Sequence, residues 1–121
     1  MYKVFTESPD GQPQFLFHGV GGSRRVPLDR WLAAEVKWAR EGSNPHYWTA
    51  FHCYRSLDAV GRWLRRCRIR TGRVVVRVEV AATRPKPTGG QAILAEQMCV
   101  TATAWAARRP LVDFEGQTEP C

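Results

Sequence analysis

Apolar and polar positions change period repeatedly along the chain, and each change marks a predicted element. Tyr2 to Glu7 and Gln14 to Val20 read as two strands around SPDGQP, whose Pro and Asp-Gly suit a tight reversal, so a β-hairpin opens the chain. After a flexible GVGGSRRVP connection, Asp29 can cap a helix from about Arg30 to Glu41 that closes at Gly42. On that helix Trp31, Leu32, Ala34, Val36, Trp38 and Ala39 make a wide apolar arc, and Glu35 falls inside it. Asn44-Pro45 interrupts helix, and Tyr47 to Tyr54 returns to a strand pattern. Ser56 is the N-cap of a second helix from Leu57 to about Arg68, with Leu57, Val60, Gly61, Trp63, Leu64 and Cys67 on one side and Asp58, Arg62, Arg65 and Arg66 on the other.

Thr71-Gly72 then turns the chain into a strand from Arg73 to Thr83, in which Val74, Val76, Val78 and Val80 share one face. RPKPTGGQ is a loop, and Ala92 to Ala104 is a last strand or a strand with a bulge. The order ββαβαββ predicts an α+β fold, a mainly antiparallel sheet of about five strands carrying two helices. Residues 1–106 form one domain and 107–121 an irregular acidic C-terminal tail.

Composition sharpens this picture. A hydrophobic content of 44% and a charged content of 24% suit a packed domain and argue against disorder. No apolar run reaches the roughly 20 residues of a membrane span, and MYKVFTESPDG lacks the layout of a signal peptide, so a cytoplasmic protein without a membrane partner is expected. The cysteines Cys53, Cys67, Cys99 and Cys121 are widely spaced, form no Cys-x-x-Cys pair and suit reduced thiols in a reducing compartment. The net charge of +7 is carried mostly by arginine, although Pro110 to Cys121 holds Asp113, Glu115 and Glu119 and no basic residue. A basic body with an acidic tail suggests a polyanionic partner, or a tail folded over its own basic face.

Arg62, Arg65, Arg66, Arg68, Arg70, Arg73 and Arg77 run through the second helix, its exit and the next strand with no acidic residue between them. Asp58, four residues before Arg62, is the one helical counter-charge nearby. Such a cluster fits phosphates of nucleic acid or nucleotide, or an acidic protein surface, against the alternative of a solvated face. Ser23, Arg24 and Arg25 end a glycine-rich loop that could cradle a phosphate, without the Walker A or Rossmann spacing. Trp38 and Trp48 could stack on bases, whereas Trp31 and Trp63 fit the core pattern. Glu35 is either a functional acid or, the favoured reading, paired with Arg24, Arg25 or a histidine, and His18 and His52 could meet across the sheet but offer no third ligand, so no metal is expected.

The blocks FLFHG, PLDRWL, FHCYRSLDAVGRWLRR, RVVVRVEV and ILAEQM, spanning about residues 2–100, resemble small accessory proteins carried by phages, prophages and plasmids. That resemblance implies a noncatalytic protein that inhibits host defence, anti-CRISPR proteins included, by binding an acidic protein or nucleoprotein complex of the host or sequestering a nucleotide. A fainter resemblance is to the ADP-ribosyltransferase fold, which implies His18 of LFHG, Tyr54 of FHCYRS and Glu96 of LAEQM as a catalytic set using NAD; Glu96 falls among core-like residues. Under the binding reading no cofactor is needed. A plain DNA- or RNA-binding protein is a further alternative, and the oligomeric state is open.

Overall fold

The computed structural model describes residues 1–16, 24–40, 42–64 and 70–113. In chain order the elements are β1 (Tyr2–Glu7), β2 (Pro13–Gln14), β3 (Trp31–Ala33), β4 (Trp38–Ala39), β5 (Tyr47–Trp48), β6 (Phe51–Tyr54), α1 (Leu57–Leu64), β7 (Arg73–Arg77), β8 (Glu79–Pro85), β9 (Ala92–Cys99), α2 (Ala102–Ala106) and β10 (Arg109–Pro110), closed by a 3-10 turn at Leu111–Asp113. The fold is α+β and its described strand pairs are antiparallel. The main sheet has eight strands rather than about five, in the order β10-β7-β1-β6-β9-β3, with β2 on β1 and β8 on β9. Since β8 follows β7 after Val78 alone, the path β7-β1-β6-β9-β8 returns to the strand on which it began, and the sheet curls.

Both sides of this sheet are covered. Phe5, Phe51, Cys53, Val74, Val76, Val78, Ala95 and Met98 meet in one cluster, closed by Phe15, Val26 and Trp105. On the opposite side Val4, Tyr54 and Val75 pack with Ala59, Val60 and Leu64 of α1 and with Leu111. Strand alternation assigns the valines as the sequence predicts: Val74 and Val76 go to the first cluster and Val75 to the second. On β9, Ala95 and Met98 share a cluster although they are three residues apart, so the strand changes face between them. The change lies opposite Ala82 of β8, whose φ of 54° is in the left-handed region that side chains seldom adopt.

The hairpin and α1 follow the sequence. Ser8 N donates to Gln12 O at 2.9 Å and Gly11 takes a positive φ of 82°, which makes the SPDGQ reversal. Ser56 Oγ accepts from Ala59 N at 3.1 Å, as the N-cap of α1 should. The expected extension of α1 to Arg68, and of the second strand to Val20, lies outside the described residues.

The predicted order ββαβαββ fails at several places, and the single strands expected over Tyr47–Tyr54 and Arg73–Thr83 are each split in two, as β5 and β6 and as β7 and β8, with different partners. No helix covers 30–40; β3 and β4 stand there instead. Phe51 is the last β6 residue to pair with β9, opposite Ala95, which leaves the edge from Gln97 to Cys99 open until β3 covers it through Trp31↔Cys99 and Ala33↔Gln97. Edge pairing outcompetes a helix whose arc would have carried Glu35 among apolar side chains. Asp29 does act at a helix start, but a distant one: its Oδ1 accepts from Ala102 N at 2.9 Å, at the start of α2. The expected strand to Ala104 likewise stops at Cys99, because Thr101 caps an alanine-rich turn, its Oγ1 accepting from Ala104 N at 3.0 Å. The stretch expected to be irregular from residue 107 instead adds β10 to β7 and buries Leu111, so the fold runs on through Asp113.

Candidate functional site

Alternation along β7 turns Arg73, Val75 and Arg77 toward the α1 side of the sheet, since Val75 packs in the α1 cluster. The β10 register places Arg109 opposite Val75, hence on that same face and diagonal to Arg73 and Arg77 at about 7–8 Å between backbones. Three guanidinium-bearing positions thus flank one buried valine. Arg62 projects from the exposed side of α1, where its Nη1 donates to Gln91 Oε1 at 2.8 Å. Arg70 sits in the turn before β7, its carbonyl accepting from Arg73 N at 3.1 Å. Arg65, Arg66 and Arg68 lie outside the described residues.

Arg109 is the member of this face that sequence reasoning missed. Its signal was the alternation of Arg109 and Leu111 across Pro110, too short to stand out from a tail. The position is held by Arg108, whose Nε donates to Glu7 Oε1 at 2.6 Å and whose guanidinium lies 4.7 Å from the Trp105 ring centre. That bond keeps the Glu7 carboxyl below its ordinary range and raises Arg108. Beside this pair, Trp105 Nε1 donates to Gly11 O at 2.9 Å, tying α2 to the first hairpin.

The glycine-rich loop is only partly described: Ser23 falls outside. Arg24 is exposed and its Nε donates to Phe15 O at 2.9 Å, a backbone clasp rather than an open phosphate ligand. Arg25 lines a hollow of about 700 Å³ with Gln12, Phe15, Val26, Leu28 and Arg30. Arg24 and Arg25 are therefore separate from the β7 face, held on the other side of the sheet by Phe15 and Val26 of the first cluster.

Of the transferase-like set, His18 lies outside the described residues. Tyr54 is buried under α1, its ring 6.1 Å from that of Trp63, while Glu96 is 48% exposed and stands 3.5 Å from Arg84. Tyr54 pairs with Ala92, so Glu96 is four residues, about 13 Å, further along β9. The structure does not bring these two side chains together.

Two further perturbed groups, Lys3 and Cys53, lie at the first core. Lys3 Nζ donates to His52 O at 2.7 Å and lies 6.0 and 5.9 Å from the Phe5 and Phe51 ring centres. Burial pushes its pKa down and pushes the Cys53 thiol up, while each group's charge pulls the other partly back. A raised thiol is protonated and a poor nucleophile, so Cys53 reads as a core residue. His52 is engaged on both ring nitrogens, 3.1 Å from Tyr47 Oη and 3.2 Å from Ala50 O. Glu35 pairs with Lys37 at 2.8 Å, two residues along the chain and a different cation from the expected Arg24, Arg25 or histidine, and no helical arc forms around it. Among the described residues no group of three or more His, Cys, Asp or Glu could hold a metal ion, and no helix is long and apolar enough to cross a membrane.

No family model, curated protein or solved structure matches this chain.

Proposed function

We propose that this chain is a noncatalytic accessory protein that binds a polyanionic or acidic partner through the face formed by α1, β7 and β10. The observation that carries the reading is the juxtaposition of Arg109 with Arg73 and Arg77 on the α1 side of the sheet, with Arg62 on the helix above. From Arg62 to Arg77 the sequence supplies no carboxylate, so the local field of this stretch is positive and favours an anionic partner. Guanidinium groups suit that task because their planar fork matches phosphate and carboxylate. The likeness to phage, prophage and plasmid proteins adds the biological role: inhibition of a host defence complex by occupying its nucleic-acid or partner site.

The test is binding of the full chain to fluorescent heparin, a sulfated polyanion, at several salt concentrations, with and without Arg73→Glu, Arg77→Glu and Arg109→Glu combined. We expect salt-sensitive binding that the triple reversal weakens more than tenfold, because each lost contact removes counterion release. Affinity untouched by the reversal, or no binding at low salt, overturns the reading. If binding holds, expression of the intact chain in a phage-challenged host with an active defence system should restore plaques, and the triple variant should not.

A further inference from the structure

A second surface has a different chemistry. Among the described residues the exposed large apolar side chains are Trp31, Val36, Trp38, Trp48 and Val112, and only Val112 lies outside the short span containing β3 to β5. Trp38 and Trp48 face each other across the β4–β5 pair, with ring centres 5.3 Å apart and planes inclined by 56°. His46 lies nearly parallel to Trp38, at 16° and 5.9 Å. More than half of each indole remains exposed, at 58% for Trp38 and 55% for Trp48.

A two-stranded hairpin alone is marginal in water, so rings on one need an anchor to be held in place. Here Arg84 Nη2 donates to Trp48 O at 2.7 Å and to Thr49 O at 3.3 Å, pinning the end of β5 to β8. Thr49 N donates to Lys37 O at 2.8 Å and Lys37 N donates to Thr49 Oγ1 at 3.3 Å, closing the arm beyond its strand pair. Fixed, solvent-facing indoles pay their ordering cost before a ligand arrives.

We propose that the β4–β5 arm is a stacking platform for unpaired nucleobases, which makes single-stranded nucleic acid the polyanion of the reading above, on which this inference rests. Two observations favour bases over an apolar protein patch. The presented groups are planar π faces, with Val36 the one aliphatic side chain beside them. Lys37 and Arg84 pair with Glu35 and Glu96, so the net positive charge beside the rings comes from Arg40, next to β4 in the chain, and Lys86, 5.6 Å from the Tyr47 ring centre next to Trp48. Stacked rings with phosphate-seeking cations around them are the combination that single strands use, and a duplex offers no free base face.

The β8–β9 loop links the arm to Arg62 of the basic face. Lys86 begins the β8–β9 loop at the arm, and Gln91 ends it on Arg62 of α1. Five residues of chain reach no more than about 18 Å, so one short strand could lay bases on Trp38 and Trp48 and phosphates toward Arg62.

The test titrates the full chain with labelled oligo(dT) of about 15 nucleotides, within the range of common single-strand sites, and with a duplex of equal length. We expect the single strand to bind more tightly and to quench tryptophan emission. Trp38→Ala and Trp48→Ala should each weaken it about tenfold while leaving the salt slope and heparin binding unchanged. Trp38→Phe and Trp48→Phe keep a stackable ring and should recover most of the loss, which a folding defect would not allow. Trp31→Ala, exposed but off the pair, should change affinity less than about twofold. Equal binding of single strand and duplex, unaffected by Trp38→Ala and Trp48→Ala, overturns the platform while heparin binding preserves the basic face; binding of no nucleic acid alongside intact heparin binding does the same. Loss of all three ligands in the unaltered chain overturns both readings.

Discussion

The layer under α1 and the arm of β4 and β5 use similar apolar residues to opposite ends. Under α1, Val60, Leu64, Val75 and Leu111 are almost wholly removed from water, and their burial holds the helix and β10 to the sheet. On the arm, Trp38 and Trp48 stay more than half exposed and touch mainly each other and His46. The contrast separates stability from presentation. A fully buried leucine contributes about 1.5–3 kcal/mol through lost water contact, whereas an exposed aromatic pair adds about 0.5–1.5 kcal/mol at most. The arm therefore owes its position to backbone clasps, to Arg84 and to the buried Tyr47, which bonds His52, rather than to burial of its tryptophans.

The largest expected effect tests this division directly. Leu64→Ala should cost about 2–5 kcal/mol in urea unfolding, since it opens a cavity in a fully buried site, while Trp38→Ala should cost about 1 kcal/mol or less. Similar losses for the two would mean the arm is part of the core.

A smaller effect sharpens the account of the arm. Arg84→Met removes two hydrogen bonds to the end of β5, worth about 1–2 kcal/mol together, and should loosen the arm alone. Hydrogen exchange read over residues 37–49 should speed roughly tenfold while α1 stays protected. Uniform acceleration through α1 would show that the arm and the helix layer open together.

The smallest effect concerns the tie behind β10. The Arg108 bond lowers the folded-state pKa of Glu7, so its stabilisation is fully present above the unfolded value near 4.5 and is lost as pH falls through the folded value. Both partners are about one-third exposed, which limits the effect to about 1 kcal/mol or less. Thermal melts from pH 6 to pH 3 should show a shallower acid loss for Glu7→Gln than for the unaltered chain; parallel curves would remove this pair as the support of β10.

Much of the α1 layer was legible because its pattern and its environment agree. Ser56 caps, Leu57 to Leu64 repeat at helical spacing, and a valine-rich strand offers them a face. The arm was not, because residues 31–39 satisfy a helical arc equally well, and only the open edge of β9, which takes β3, and the pairing of β4 with β5 decide for strands. For the same reason Trp31, which fits a core by spacing, is 55% exposed on β3. The arginines were visible as a cluster from Arg62 to Arg77, but Arg109 joined them only through pairing with a strand more than thirty residues earlier.

What the sequence determined by itself is local: the first reversal, the Ser56 cap, the alternation of Val74, Val75 and Val76, and the excess of arginine. Each follows from backbone preference or side-chain period over a few residues. The tertiary structure decided which edge needed a partner, which helix start the Asp29 carboxylate would reach, where β9 changes face and which tryptophans remain in water. Those outcomes depend on unpaired backbone groups and apolar area left over by segments far apart in the chain, and no local pattern carries that information.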